Sequence, residues 1–119
     1  MIVSCMNALG NLSKTLALEA RKGAEDLFLG LNSDGIEGPS YKSYLDYLET
    51  DIGSSVKTKL EEATLKIDDL QDNFLTQISE NNNLMLVAFD ALQTIVVNLK
   101  TDMLSNFNIA VDYTDADGD

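Results

Sequence analysis

Asn83 to Phe107 reads NLMLVAFDALQTIVVNLKTDMLSNF. Leu84, Ala88, Ala91, Leu92, Ile95, Leu99 and Met103 recur there at steps of three and four. That is the spacing of one face of an α-helix. Asp90, Asn98, Lys100 and Asp102 interrupt the apolar run. They argue against a transmembrane segment, which needs about twenty unbroken apolar residues. The stretch is too apolar to stand alone in water, so the spacing predicts the central helix of a bundle, covered by the others.

Immediately upstream, Val56, Leu60, Ala63, Ile67, Leu70 and Phe74 step in a heptad-like 4-3-4-3-4 pattern within a helix expected over 51–75. So narrow a stripe suits packing at roughly 20° to a neighbour. Asp51 is the expected N-cap. Lys57 and Lys59 stand near Glu61 and Glu62, and Lys66 near Asp69, as solvated pairs of little worth. Residues 76–83, TQISENNN, are expected to connect to the last helix, with asparagines available as caps.

Further upstream, SYKSYLDYLET over 40–50 predicts a short helix with Tyr41, Tyr44, Leu45 and Leu48 along its apolar edge. Three tyrosines so close have two readings. They could form a stacking platform for a sugar or base, or, more plainly, a half-buried edge with hydroxyls in water. Residues 32–39, NSDGIEGP, are a turn, and Gly38-Pro39 suits a helix start. Residues 1–31 predict a first helix whose inward stripe is Ile2, Met6, Leu9, Leu16, Ala20 and Leu27, with small Ser13 and Gly23 between. Lys14, Glu19, Arg21, Lys22, Glu25 and Asp26 fill its polar side, and Gly30 stands where a left-handed cap belongs.

The chain has 119 residues, 45% of them apolar, with one Pro, no Trp and no His. This is one all-α domain, a four-helix bundle with a short extended C-terminal tail. Twenty acids against eight bases give a net charge of −12. Such a surface repels phosphate backbones, which argues against nucleic acid, and it repels anionic membranes too. Cationic partners or metal ions are favoured instead. Cys5 is the only cysteine, so no intrachain disulfide exists. Ile2-Val3-Ser4-Cys5 faintly resembles a lipoprotein cleavage site, but no basic start or apolar run precedes it. A buried thiol is the plainer reading.

Without histidine, this chain holds neither a Ser-His triad nor a His–metal site. Glu61-Glu62 and Asp68-Asp69 are adjacent pairs whose side chains diverge on a helix. Asp115, Asp117 and Asp119, with Asp112 close by, are the candidate ligands for a hard cation such as Ca²⁺, or for iron. An EF-hand, however, places its glycine after the third acid, and Gly118 comes one acid early. A solvated acidic tail is the plainer reading.

Leu92-Gln93, Leu99-Lys100-Thr101-Asp102-Met103-Leu104, Ile109-Ala110-Val111, Tyr113 and Asp117-Gly118-Asp119 follow in an order that resembles the C-terminal end of the imelysin family. The short Tyr44-Leu45-Asp46-Tyr47-Leu48 helix and the heptad-patterned helix after it are similar to what precedes that end. The resemblance spans roughly residues 35–119 and is most specific in the tail. It implies an all-helical fold in which two bundle-like halves pack together. It also implies a periplasmic or outer-membrane setting in bacteria and a link to iron uptake. Some members were first described as peptidases. The family's Gly-x-His-x-x-Glu motif lies in its N-terminal half and has no counterpart here, so no catalytic residue carries over. The resemblance therefore points to a non-catalytic binding or scaffold domain, whose partners are the other half or iron-uptake components. Two alternatives stand beside it. One is half of a metal-dependent peptidase with its ligands elsewhere, and the other is an unrelated acidic helical module.

Overall fold

The computed structural model describes residues 9–110. Its helices are α1 (Ser13–Leu29), α2 (Tyr41–Tyr47), α3 (Ile52–Asp68), α4 (Phe74–Val97), a π-helical turn (Asn98–Met103) and α5 (Leu104–Asn106). The fold is all-α. Among the described residues the only β-type pairing is an isolated antiparallel bridge between Leu31 and Glu37. Cys5, Asp112, the candidate ligands Asp115, Asp117 and Asp119, and most of the expected tail lie outside the described residues.

The centre of the bundle is α3, not the Asn83–Phe107 stretch. Gly53, Val56, Leu60, Ala63 and Ile67 are all buried along α3. α1, α2, α4 and the π turn each pack against it. On α4 only Gln77, Ala88 and Ile95 are buried. The stripe expected on that helix faces α3 except at Leu92, which is exposed: Leu84, Ala91, Leu99 and Met103 are half-buried beside Ala88 and Ile95. Among the described residues nothing covers the opposite side: Leu86, Phe89 and Val97 are more than half exposed. Overall apolarity marked α4 as central. Burial instead follows the narrow heptad stripe of α3, which has neighbours on several sides.

α1 departs most from expectation. A turn at 11–12 breaks the helix predicted over 1–31. Gly10 packs against the Asn73 side chain there, leaving no room for a Cβ. The stripe expected to face inward faces solvent instead: Leu9, Leu16 and Leu27 are each more than 60% exposed. The inward face carries Phe28 and Leu29, with Ala17 and Leu18 one cluster further along. Arg21 and Glu25 lie between them and pair at 2.7 Å with side chains only 12% and 18% exposed. An ion pair that neutralises itself can line an inner face, so apolar spacing alone picked the wrong side.

Helix ends show similar local logic. Gly30 takes φ +67 and closes α1 through Leu31 N–H to Asp26 O at 2.9 Å. Ser40 caps α2 in a capping box with Ser43, so Pro39 precedes the cap. Asp51 makes no side-chain cap bond to α3. At the other end of α3, Lys14 Nζ donates to Asp68 O at 2.7 Å and Leu70 O at 3.0 Å. A cation on orphan carbonyls at a helix C-terminus is doubly favourable, and α3 stops there rather than at residue 75. Asn73 caps α4 by accepting from Leu75 and Thr76 N–H, so α4 begins well before the expected start. The expected connector survives only as a kink at Asn81 (φ −153, ψ 81). Buried Gln77 bridges that kink: its Nε2 donates to Asn81 O, and its Oε1 accepts from Gln71 N–H. The ion pairs formed among the described residues are Arg21–Glu25, Lys22–Asp26 and Lys42–Asp46. The expected pairs of α3 are not among them.

Candidate functional site

Ile95, Leu99, Met103 and Phe107 stand four residues apart. On a regular α-helix such positions drift about 40° per step. The π turn over Asn98–Met103 takes in extra backbone and absorbs that drift. Leu99, Met103 and Phe107 therefore all stay against the core cluster. The turn also buries Asn98, whose Nδ2 donates to Asp102 Oδ2 while its Oδ1 has no partner among the described residues.

Phe107 is thereby brought to α2. Its ring lies 5.2 Å from that of Tyr44 and 6.3 Å from that of Tyr41, centroid to centroid. These three rings, with Asp26, Leu31 and Pro39, line an open cavity of about 640 Å³. Leu27 and Tyr41 are shared with a second cavity of about 260 Å³, whose walls are Ala24, Phe28, Leu99 and Met103. The two neighbouring cavities make up a groove region between the C-terminal end of α1, α2 and the π turn, with Leu27 and Tyr41 as their common walls. Its volume is in the range of small-molecule sites.

Among the described residues Asp26 is the one charged side chain lining the groove. Its Oδ2 accepts from Lys22 Nζ at 2.7 Å. That hydrogen bond, reinforced by the negative charge of Asp26, raises the Lys22 ammonium above its ordinary pKa.

The tyrosine platform read from the sequence is therefore partly formed. Tyr41 and Tyr44 line the groove, whereas Tyr47 stacks on the outer side of Tyr44 at 6.2 Å and is 78% exposed. Sequence reasoning missed Phe107 and Asp26. The four-residue spacing from Ile95 to Phe107 was the available signal, but it needs the π turn to be read correctly. Among the described residues no group of three or more His, Cys, Asp or Glu side chains could hold a metal ion. Glu61, Glu62, Asp68 and Asp69 are exposed.

A second candidate surface is the outer side of α4. Phe89, Leu92 and Val96 step 3-4 beside the core stripe, and Leu86 and Val97 flank them. The helical run Phe74–Asn106 is 33 residues long with a mean hydropathy of 1.4 over its most apolar window, only 17% of which is buried. By length and composition alone it could cross a membrane.

No family model, curated protein or solved structure matches this chain.

Proposed function

We propose that this chain is a non-catalytic helical binding and scaffold domain of imelysin type, one of two bundle-like halves, serving iron uptake at the bacterial periplasm or outer membrane. The observation that carries the docking role is the uncovered outer face of α4. Phe89 and Val96 stand at heptad spacing and are 54% and 41% exposed. That spacing fits a partner helix at a shallow crossing angle, and exposed apolar faces of this kind mark interaction sites. The imelysin assignment is supported by the order of residues from Leu92 to Asp119 and by the helical fold. Bilayer insertion is the costlier use of the same helix. α4 would have to leave α3 and uncover Val56, Leu60, Ala63 and Ile67.

Co-expression tests this proposal. A helical segment bearing Gly-x-His-x-x-Glu, encoded in the same gene or beside it, is expected to co-purify with residues 1–119. Phe89→Asp with Val96→Asp is expected to abolish that co-purification. Failure of such a segment to bind the unaltered chain would overturn the two-half assembly. Metal retained by the complex and hydrolysis of a peptide would instead establish the peptidase alternative.

A further inference from the structure

We propose that the aromatic groove binds a small ammonium compound carrying a short apolar chain. Three observations converge on that ligand class. Tyr41, Tyr44 and Phe107 line one opening, with the Phe107 ring 5.2 Å from that of Tyr44 and 6.3 Å from that of Tyr41, and aromatic rings attract cations. Among the described residues Asp26 supplies the only charge in the lining. With no cationic side chain among those residues, an anion would meet a carboxylate and ring faces of its own sign. Tyr41 and Leu27 are also walls of the neighbouring, mainly apolar pocket of Ala24, Phe28, Leu99 and Met103, which takes the ligand's hydrocarbon part. The chain's net charge of −12 adds long-range attraction for a cation.

The lining also argues against a sugar or a nucleobase, which need several free hydrogen-bonding groups. The Ser40 hydroxyl already accepts from Ser43 N–H as the α2 cap. Asp26, the two phenols and the Ser40 O–H are the side-chain groups that remain among the described residues. Lys22 is the built-in competitor. Its ammonium holds Asp26 Oδ2, yet its side chain is 58% exposed, so a ligand cation over the rings can displace it.

The test is calorimetric titration of the whole chain with hexyltrimethylammonium, hexanol and hexanoate. The cation is expected to bind at least about tenfold more tightly than hexanol, and hexanoate more weakly than either. Tyr44→Leu, which keeps apolar bulk and removes the ring, is expected to weaken the cation about tenfold and to change hexanol less than about threefold. Phe107→Leu serves as a second ring variant should Tyr44→Leu melt early. Asp26→Asn is expected to weaken the cation, and Lys22→Gln to strengthen it. Equal binding of hexanol and the cation would overturn the proposal. So would cation affinity unmoved by the ring variants and Asp26→Asn, or no heat from any of the three probes.

Discussion

Gly30 and Gly35 both hold positive φ, at 67° and 74°, but they differ in surroundings. A Cβ on Gly30 would lie 2.8 Å from Ser40 Cβ and 2.9 Å from Pro39 O, whereas a Cβ on Gly35 would meet open space. Gly30→Ala is expected to cost more than about 2 kcal/mol by urea denaturation, because left-handed strain and a backbone clash add. Gly35→Ala should show the strain alone, about 1 kcal/mol. Gly30 was legible as a cap because it followed a helical pattern. Glu49, at φ 56, takes the same conformation with no sequence signal for it. Lys42 donates to Asp46 at 2.6 Å, and that hydrogen bond raises its pKa above the ordinary 10.5, with burial opposing. A raised lysine pKa stabilises the fold fully below its unfolded value and fades as pH rises through the folded one. The melting-temperature gap between wild type and Lys42→Met is therefore expected to be constant near neutrality and to close above about pH 10.5.

At the scale of the helix, face matters more than apolar content. Leu60, 3% exposed on α3, is expected to cost about 2–5 kcal/mol when changed to Ala. Leu16, 64% exposed on α1, is expected to cost less than about 0.5 kcal/mol. Equal losses in the two variants would restore the inward stripe first expected for α1. The stripe of α3 could be read from the sequence because each of its positions from Val56 to Leu70 is apolar and buried. That of α1 could not, since Arg21 and Glu25 occupy its inner side and neutralise each other's charge. The end of α3 was hidden for a related reason: its cap, Lys14, lies 54 residues earlier in the chain. Helix limits set by a distant side chain leave no local trace. Half of the aromatic groove could be read in the spacing of Tyr41 and Tyr44. Phe107 could not be placed there, because its position depends on a change of helical pitch that side-chain periodicity does not announce.

Over the whole molecule, thickness decides what stays uncovered. The thinnest dimension is 22 Å, about two helix diameters. Two layers cover α3 from several sides but cannot close around α4, whose 24 residues are bent at Asn81. Its two apolar stripes therefore have separate duties: Ala88 and Ile95 hold the fold, while Phe89 and Val96 remain available to a partner. This division predicts opposite behaviour for neighbouring residues. Phe89→Asp and Val96→Asp should each change the stability of the isolated chain by less than about 0.5 kcal/mol, yet remove association with a helical partner. Ile95→Asp should unfold the chain, because a buried unpaired carboxylate costs several kcal/mol. A bound partner should raise the melting temperature in proportion to the logarithm of its excess over Kd, and only for chains that keep Phe89 and Val96. If Phe89→Asp unfolds the chain as Ile95→Asp does, the outer stripe is structural, and docking must be sought elsewhere on the molecule.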